Sequence, residues 1–394
     1  MGKGHHGPTW LVTMAMIAET LLDIVTVSCS GSKVPAIIVF GDSSVDSGNN
    51  NFIPTMARSN FEPYGRDFFG GNPTGRFSNG RISPDYISEA FGLKEAVPAY
   101  LDPAFNISDF ATGVCFASAG TGYDNATAKV ADVIPLWKEV EYYKEYQNKL
   151  RAYLGDEKAN EILREALYLV SIGTNDFMEN YFMFPDRRCE FSVEQYEDFL
   201  IGLAENFLRE IYGLGARKIS LTGLPPMGCL PLERAINILE YHDCIERYND
   251  VALEFNGKLG WLVTKLNKEL PGFQLVDANA YGIILQIIKQ PSHFDARTWY
   301  PFVLPVGPRR PNALSLIGVR VSLDLHSVVI FPKLDRPSSF LCVFRVLRWQ
   351  EGDAVEQGDL RWVSCAIETV HLHAKMQISM YFGMPSTPHQ KQVK

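Results

Sequence analysis

The 394 residues suffice for one large α/β domain or two smaller ones, and the 46% hydrophobic content is ordinary for a globular protein with a substantial core. A formal net charge of −8 provides no basic face and argues against a general nucleic-acid binder. Residues 295–394 carry 12 Lys or Arg against 8 Asp or Glu, whereas the preceding residues carry 25 against 37. This break in charge predicts that the C-terminal segment differs in origin or role from the body.

The first 32 residues have the pattern of a secretory signal peptide. Lys3 supplies the positive start, residues 10–18 form a short apolar run, and small residues around Ser30 suit a signal peptidase. Glu19 and Asp23 interrupt the apolar stretch, so a transmembrane helix of about 20 apolar residues is not expected. We therefore predict a signal peptide over residues 1–32, secretion, and no stable membrane span.

Cysteines and sequons of the body also bear on secretion. Cys229 and Cys244 lie 15 residues apart and can pair in an oxidising compartment, although two free buried thiols fit the same spacing. Asn106-Ile-Ser and Asn125-Ala-Thr are acceptor sequons for N-glycosylation. Both features favour a secreted glycoprotein.

Four short apolar runs rich in β-branched residues have the composition of strands buried on both faces. The first three runs each lead directly into a glycine, and the fourth leads into an aspartate. These predicted strands are residues 35–40, 167–172, 218–222 and 273–276.

Helical periodicity separates the predicted strands. Ser192 and Gln195 form a capping box before a helix that stops at Gly215, a second helix is predicted over 245–270, and a third over 137–154. Alternating strands and helices predict an α/β fold, namely one three-layer α/β/α sandwich with a mainly parallel sheet. Active sites in such folds lie at the carboxyl ends of the strands.

A serine follows the first predicted strand, in Gly41-Asp42-Ser43-Ser44. The spacing is not the G-x-S-x-G nucleophile elbow, so an ordinary α/β-hydrolase is not indicated. In isolation, the tripeptide Gly-Asp-Ser is typical of a simple turn.

Five glycine-containing segments follow one another along the chain, namely Gly41–Asn50, Gly75–Arg81, Gly113–Gly122, Gly173–Asp176 and Gly223–Pro231. Together, and in this order, they resemble the blocks of plant GDSL esterase/lipases, in the SGNH hydrolase superfamily. Cys115 stands where the family usually has Asn. The resemblance extends from about Pro35 to His293, roughly two-thirds of the chain.

The resemblance implies a flavodoxin-like topology and hydrolysis of carboxylic esters through an acyl-enzyme on the nucleophile Ser43. The carbonyl oxygen would be stabilised by the Ser43 backbone N–H, the Gly120 N–H and the Asn175 side-chain amide. Gly113 and Gly122 are alternative alignments for the glycine. Taken singly, Gly120 is an ordinary turn glycine and Asn175 a capping residue. The implied substrate is a small-molecule or polymer-linked ester, and we expect a monomer that does not bind nucleic acid.

Three aspartates, Asp42, Asp46 and Asp176, follow the same strands. Their spacing does not predict a metal site, so we interpret them as solvated turn residues. No phosphate-binding G-x-x-x-x-G-K-[ST] loop occurs. We expect neither a metal nor a cofactor.

The chain departs from its family at the C-terminus. The family's general base is a histidine in an Asp-x-x-His-Pro block, and that block is absent from this sequence. The resemblance stops at His293, so we predict a C-terminally incomplete hydrolase domain over residues 33–293. An atypical tail of unassigned fold follows over residues 294–394.

Two functional hypotheses follow from this departure. In the first, the protein is an esterase in which a tail histidine, His326, His371 or His373, replaces the missing base. In the second, it is a catalytically silent GDSL-like protein that binds acyl ligands. A chain that does not fold stably without the family's closing segment is a further alternative, and an altered splice or gene model near Phe294 would explain the tail.

Overall fold

A parallel sheet of five strands organises the computed structural model, which describes residues 34–291. The four strands predicted from the sequence are confirmed, with bounds that shift by at most two residues. A fifth strand, Gly113–Cys115, is not predicted from the sequence, since its three residues are too few to show a pattern. The strands are β1 Ile37–Gly41, β2 Gly113–Cys115, β3 Leu167–Ser171, β4 Lys218–Thr222 and β5 Gln274–Ala278.

The strand order is β2-β1-β3-β4-β5, and every neighbouring pair is parallel. After β1 the chain runs to β2 on one side, whereas after β3 it runs to β4 on the other side. The loops that follow β1 and β3 therefore lead in opposite directions, which opens a crevice at the carboxyl ends of these two strands. The predicted flavodoxin-like arrangement is confirmed.

Helices cover both faces of this sheet. The three predicted helices are present, as Leu136–Leu154, Val193–Gly213 and Glu246–Glu269. The predicted capping box is present as well, with the Ser192 hydroxyl accepting the Gln195 N–H. A π-helix, Asp176–Met183, lies after β3. The α-helices of the described residues are α1 Ser83–Ala90, α2 Ile107–Phe110, α3 Asn125–Val130, α4 Leu136–Leu154, α5 Asp156–Glu165, α6 Pro185–Glu190, α7 Val193–Gly213, α8 Pro231–Ile236, α9 Glu246–Glu269 and α10 Ala280–Lys289.

The alternation of side chains along β1 explains the three layers. Ile38 and Phe40 pack in the core shared with α4, α7 and α9, whereas Ile37 and Val39 pack on the opposite face with Ile87 of α1. Each such fully buried side chain contributes about 1.5–3 kcal/mol of transfer free energy. Both faces of β1 are therefore buried, as the continuous apolar run predicted.

Cys229 and Cys244 form a disulfide in the segment between β4 and α9. This outcome selects pairing over the alternative of two free thiols. Cys115 is a buried free thiol and Cys189 an exposed one. Across residues 34–291, no helix is both long enough and apolar enough to cross a membrane.

Candidate active site

Ser43 lies on the turn after β1, and this turn is held against the end of β3. The Asp42 N–H donates to the Ser171 carbonyl at 3.0 Å, and the Ser44 hydroxyl donates to the Ser171 hydroxyl at 2.7 Å. Gly41 has φ +138°, and a Cβ there would lie 2.0 Å from the Ser171 carbonyl oxygen. Glycine is thus required at position 41, because the β3 backbone occupies the space that a side chain there would need.

The Ser43 hydroxyl is buried, since the residue is only 1% exposed. Within residues 34–291 its oxygen has no hydrogen-bond partner. An unpartnered buried hydroxyl is costly for stability, and a catalytic role is one of the explanations for such a group.

The loop after β2 approaches this turn and carries Gly120. The Ser118 N–H donates to the Gly41 carbonyl at 2.9 Å, which joins the two loops directly. Gly120 has φ +87°, and a Cβ there would make only van der Waals contacts with Ala131 and Val133. Backbone conformation, rather than lack of space, therefore requires the glycine.

The alternative alignments of this glycine have other structural explanations. Gly113 begins β2 and pairs with Ile37, at the end of the sheet opposite Ser43. Gly122 packs against Asp176, whose Oδ1 would lie 2.3 Å from an added Cβ. Gly113 therefore lies away from the Ser43 turn, whereas Gly120 and Gly122 both lie on the loop that approaches it.

Asn175 follows β3 and lies next to the Gly120 loop. The residue is fully buried, and its Nδ2 donates to the Thr121 carbonyl at 2.9 Å. This bond orients the side-chain amide and brings it to within one residue of Gly120. The structure thus brings the loops of all three predicted site residues together at the carboxyl ends of β1, β2 and β3.

The interpretation of Asp42, Asp46 and Asp176 as solvated turn aspartates is wrong, because all three are buried. Asp46 accepts N–H groups from Gly48, Asn49 and Ala119 at 2.7, 2.8 and 3.1 Å. Desolvation nevertheless raises the pKa of Asp46 to about 6. These carboxylates hold loops together instead of facing water.

Asp176 is one buried carboxylate that holds a neighbouring loop in place. It accepts the backbone N–H groups of Tyr123 and Asp124 at 2.8 and 3.0 Å, and the Thr127 hydroxyl at 2.5 Å. Burial raises its pKa to about 7. The carboxylate of one loop therefore organises the backbone of the neighbouring loop, next to Asn175.

Glu139 of α4 is a site residue that the sequence analysis missed. Its Oε2 accepts the N–H of Gly41, two residues before Ser43, at 3.0 Å, and the side chain is fully buried. Burial raises the pKa of Glu139 well above its ordinary value. A signal existed in the sequence, since this glutamate lies on the apolar stripe between Leu136 and Tyr143.

The Gly75–Arg81 segment has a structural role that its motif alone did not reveal. Arg76 makes a bidentate ion pair with Asp85, at 2.8 and 2.9 Å, and both side chains are buried. The same guanidinium donates to the carbonyls of Ser47 and Val97. Arg76 therefore anchors the loop that carries Ser43 to α1 and to the segment before β2.

No described histidine lies beside Ser43. His242 is the only histidine of residues 34–291, and its Nδ1 lies 2.9 Å from the Arg234 carbonyl. The candidate bases His326, His371 and His373 lie outside the described residues, as do the predicted signal peptide and tail. Within the described part of the chain, no group of three or more His, Cys, Asp or Glu residues is arranged to hold a metal ion.

The parallel sheet and the serine turn after its first strand define an α/β protein consistent with the SGNH hydrolases. The family model GDSL-like Lipase/Acylhydrolase matches residues 37–298. The chain therefore belongs to the GDSL-like lipase/acylhydrolase family.

Curated relatives from Arabidopsis thaliana agree with this assignment. The chain is 67% identical over 266 residues to GDSL esterase/lipase At2g42990, covering 68% of this chain and 76% of the relative. It is 65% identical over 269 residues to GDSL esterase/lipase At2g04570, covering 68% and 77%. It is 60% identical over 284 residues to GDSL esterase/lipase At4g26790, covering 72% and 80%. These plant relatives support an ester-hydrolase function.

Proposed function

We propose that this protein hydrolyses carboxylic esters with Ser43 as the nucleophile, through a covalent acyl-enzyme. The observation that carries the proposal is the buried Ser43 hydroxyl, which has no hydrogen-bond partner within residues 34–291 and lies on the turn that the Gly120 loop contacts. A serine hydroxyl of this kind is available to react with a substrate carbonyl once a base accepts its proton.

Three N–H groups stabilise the oxyanion that forms in this reaction: those of Ser43, Gly120 and the Asn175 side chain. In support, the Ser43 and Gly120 backbone N–H groups donate no hydrogen bond to the described part of the protein. The bond from Asn175 to Thr121 fixes the third donor close to Gly120. Neutral amide donors need no protonation, so they act over a wide pH range.

The reaction proceeds in two halves. The Ser43 oxygen bonds to the carbonyl carbon while its proton passes to the base, and the tetrahedral intermediate then expels the alcohol, which takes that proton. Water next attacks the acyl-enzyme, and the acid is released as Ser43 recovers its proton. The candidates for this base are the tail histidines His326, His371 and His373, which lie outside the described residues.

The substrate is a small-molecule or polymer-linked ester, and the protein is secreted. The Cys229–Cys244 disulfide supports an oxidising compartment. Asn106 and Asn125 are exposed, as glycosylation requires. The proposed division of the chain is a signal peptide over 1–32, a hydrolase domain over 33–293 and a tail over 294–394.

The test is hydrolysis of p-nitrophenyl butyrate by the purified full chain and two variants. Ser43→Ala should lower kcat by a factor of about 10³ or more. Ser44→Ala, the matched control, removes a hydroxyl already bonded to Ser171 and should change kcat by less than about tenfold. Equal activity in wild type and Ser43→Ala, or a well-folded but inactive wild type, would overturn the proposal.

If activity depends on Ser43, single replacements of His326, His371 and His373 by Ala identify the base. Loss of kcat in one variant with an unchanged KM marks the histidine that accepts the proton. No effect in any of the three excludes the tail histidines.

A further inference from the structure

Asn50 is a buried amide whose hydrogen-bonding groups are all engaged. Its Nδ2 donates to the carbonyls of Ala57 and Ala119 at 2.8 and 2.9 Å, and its Oδ1 accepts the Ser118 hydroxyl at 2.5 Å. The side chain is fully buried. Turning the amide over would place its oxygen against two carbonyl oxygens, so only one orientation is stable.

The hydrogen bond from Asn50 to the Ala119 carbonyl also fixes the orientation of the Gly120 N–H. The Ala119 carbonyl and the Gly120 N–H belong to the same planar peptide unit, in which the two groups point in opposite directions. A hydrogen bond that holds the carbonyl at 2.9 Å therefore also sets the direction of the Gly120 N–H. The preceding peptide is held as well, because the Ala119 N–H donates to Asp46 Oδ2 at 3.1 Å.

Gly120 needs such an external constraint. As a glycine with φ +87°, it has no side chain to restrict its backbone. With Gly120 as an oxyanion donor, as in the proposed function, rotation of the Ala119–Gly120 peptide would turn its N–H away from the substrate oxygen. Donors that are preorganised before the reaction stabilise the developing charge, and donors that must reorient lose much of that effect.

We propose that Asn50 is the positioning residue of the oxyanion hole, which aims the Gly120 N–H by holding the Ala119 carbonyl. The inference rests on the proposed function, in which Gly120 is one of the donors. Asn50 touches no reacting atom in this account. Its effect is therefore confined to the transition state and leaves the binding of substrate in its ground state unchanged.

The test compares Asn50→Asp with Asn51→Asp. The first change keeps the shape and the acceptor for Ser118 but replaces both N–H donors by an oxygen facing two carbonyls. The second makes the same change at the next residue, whose Nδ2 donates to the Thr74 carbonyl, outside the Gly120 loop. With p-nitrophenyl butyrate, Asn50→Asp should lower kcat by at least about tenfold, and by no more than the factor of about 10²–10³ that complete loss of one oxyanion donor costs.

KM should stay within about twofold in both variants, and kcat of Asn51→Asp should remain within about threefold of wild type. Butaneboronic acid, which forms a tetrahedral anionic adduct with a reactive serine, should bind Asn50→Asp more weakly by a factor similar to the loss of kcat. A merely structural defect would instead raise KM or lower the fraction of folded protein. Wild-type kcat in Asn50→Asp would overturn the inference.

A crystal structure of Asn50→Asp provides the readout that does not depend on turnover. We expect the Ala119–Gly120 peptide to be rotated there and unchanged in Asn51→Asp. If the wild type proves inactive, the proposed function fails, but the crystal structure still tests the role of Asn50. An Ala119–Gly120 peptide that is not rotated in Asn50→Asp would contradict the inference that Asn50 positions the Gly120 N–H. Should Asn50→Asp not fold, the uncharged Asn50→Ala variant carries the same test with the same expectations.

Discussion

Replacing Gly41 by alanine tests how tightly the Ser43 turn is built against β3. The added Cβ would lie 2.0 Å from the Ser171 carbonyl oxygen, which is a backbone atom and cannot rotate away. The same oxygen accepts the Asp42 N–H at 3.0 Å, so relief of the overlap breaks this hydrogen bond. The end of β1 must therefore move away from β3, and Ser43 must move with it.

The magnitude follows from two contributions. A non-glycine residue at φ +138° costs about 1–3 kcal/mol, and the lost hydrogen bond costs about 1 kcal/mol. With the steric overlap added, the free energy of unfolding should fall by at least about 3 kcal/mol. For a domain of this size, that corresponds to a fall in Tm of about 6–12 °C. A displacement of Ser43 by about 1 Å should also lower kcat by about 10²-fold.

Thermal unfolding followed by circular dichroism, together with ester hydrolysis, measures both effects. Gly202→Ala in α7 is the matched control, because a Cβ there meets nothing within 4 Å and alanine favours the helix. Its Tm should equal or exceed that of the wild type. A Gly41→Ala protein with wild-type Tm and kcat would refute the reasoning about the turn.

Two further changes probe the support of the site. Glu139→Gln keeps an acceptor for the Gly41 N–H but cannot ionise. Burial raises the folded-state pKa of Glu139 above its ordinary 4.5. The contribution of Glu139 to the free energy of unfolding is therefore complete below pH 4.5 and is lost as the pH rises towards the folded-state pKa. In urea unfolding, the free energy of unfolding of the variant should therefore rise relative to that of the wild type above pH 4.5, by at most about 1.4 kcal/mol per pH unit. The same pH dependence of the unfolding free energy in both proteins would exclude a coupling to Glu139 ionisation. Cys244→Ser opens the 15-residue loop to Cys229 and should lower the unfolding free energy by about 3 kcal/mol, whereas an unchanged urea midpoint would contradict a stabilising disulfide.

The sequence predicted those elements whose signal is local. The β4 run matches its strand residue for residue, and the capping box marks the start of α7 correctly, because apolar runs and caps are properties of adjacent residues. β2 was missed because its three residues, Gly113–Cys115, become a strand only through pairing with β1. Short strands depend on their neighbours more than on their own composition.

The site shows the same limit. Buried Asp46 accepts the N–H of Ala119, which lies 73 residues away in the sequence. Only the folded sheet brings these two residues together, so the sequence around Asp46 does not reveal this contact. The contact between Glu139 and Gly41 spans 98 residues. Motif resemblance predicted that the Ser43, Gly120 and Asn175 loops belong together, but it contained no information on which side chains hold those loops in place.

The central claim is that Ser43 is a nucleophile in the folded chain. The most direct measurement is covalent labelling of the purified protein with a fluorophosphonate, followed by peptide mapping by mass spectrometry. The account predicts a single phosphonyl adduct on the peptide that contains Ser43, absent from Ser43→Ala and from heat-unfolded protein. A folded wild-type protein that stays unlabelled, or an adduct on a different residue, would contradict it.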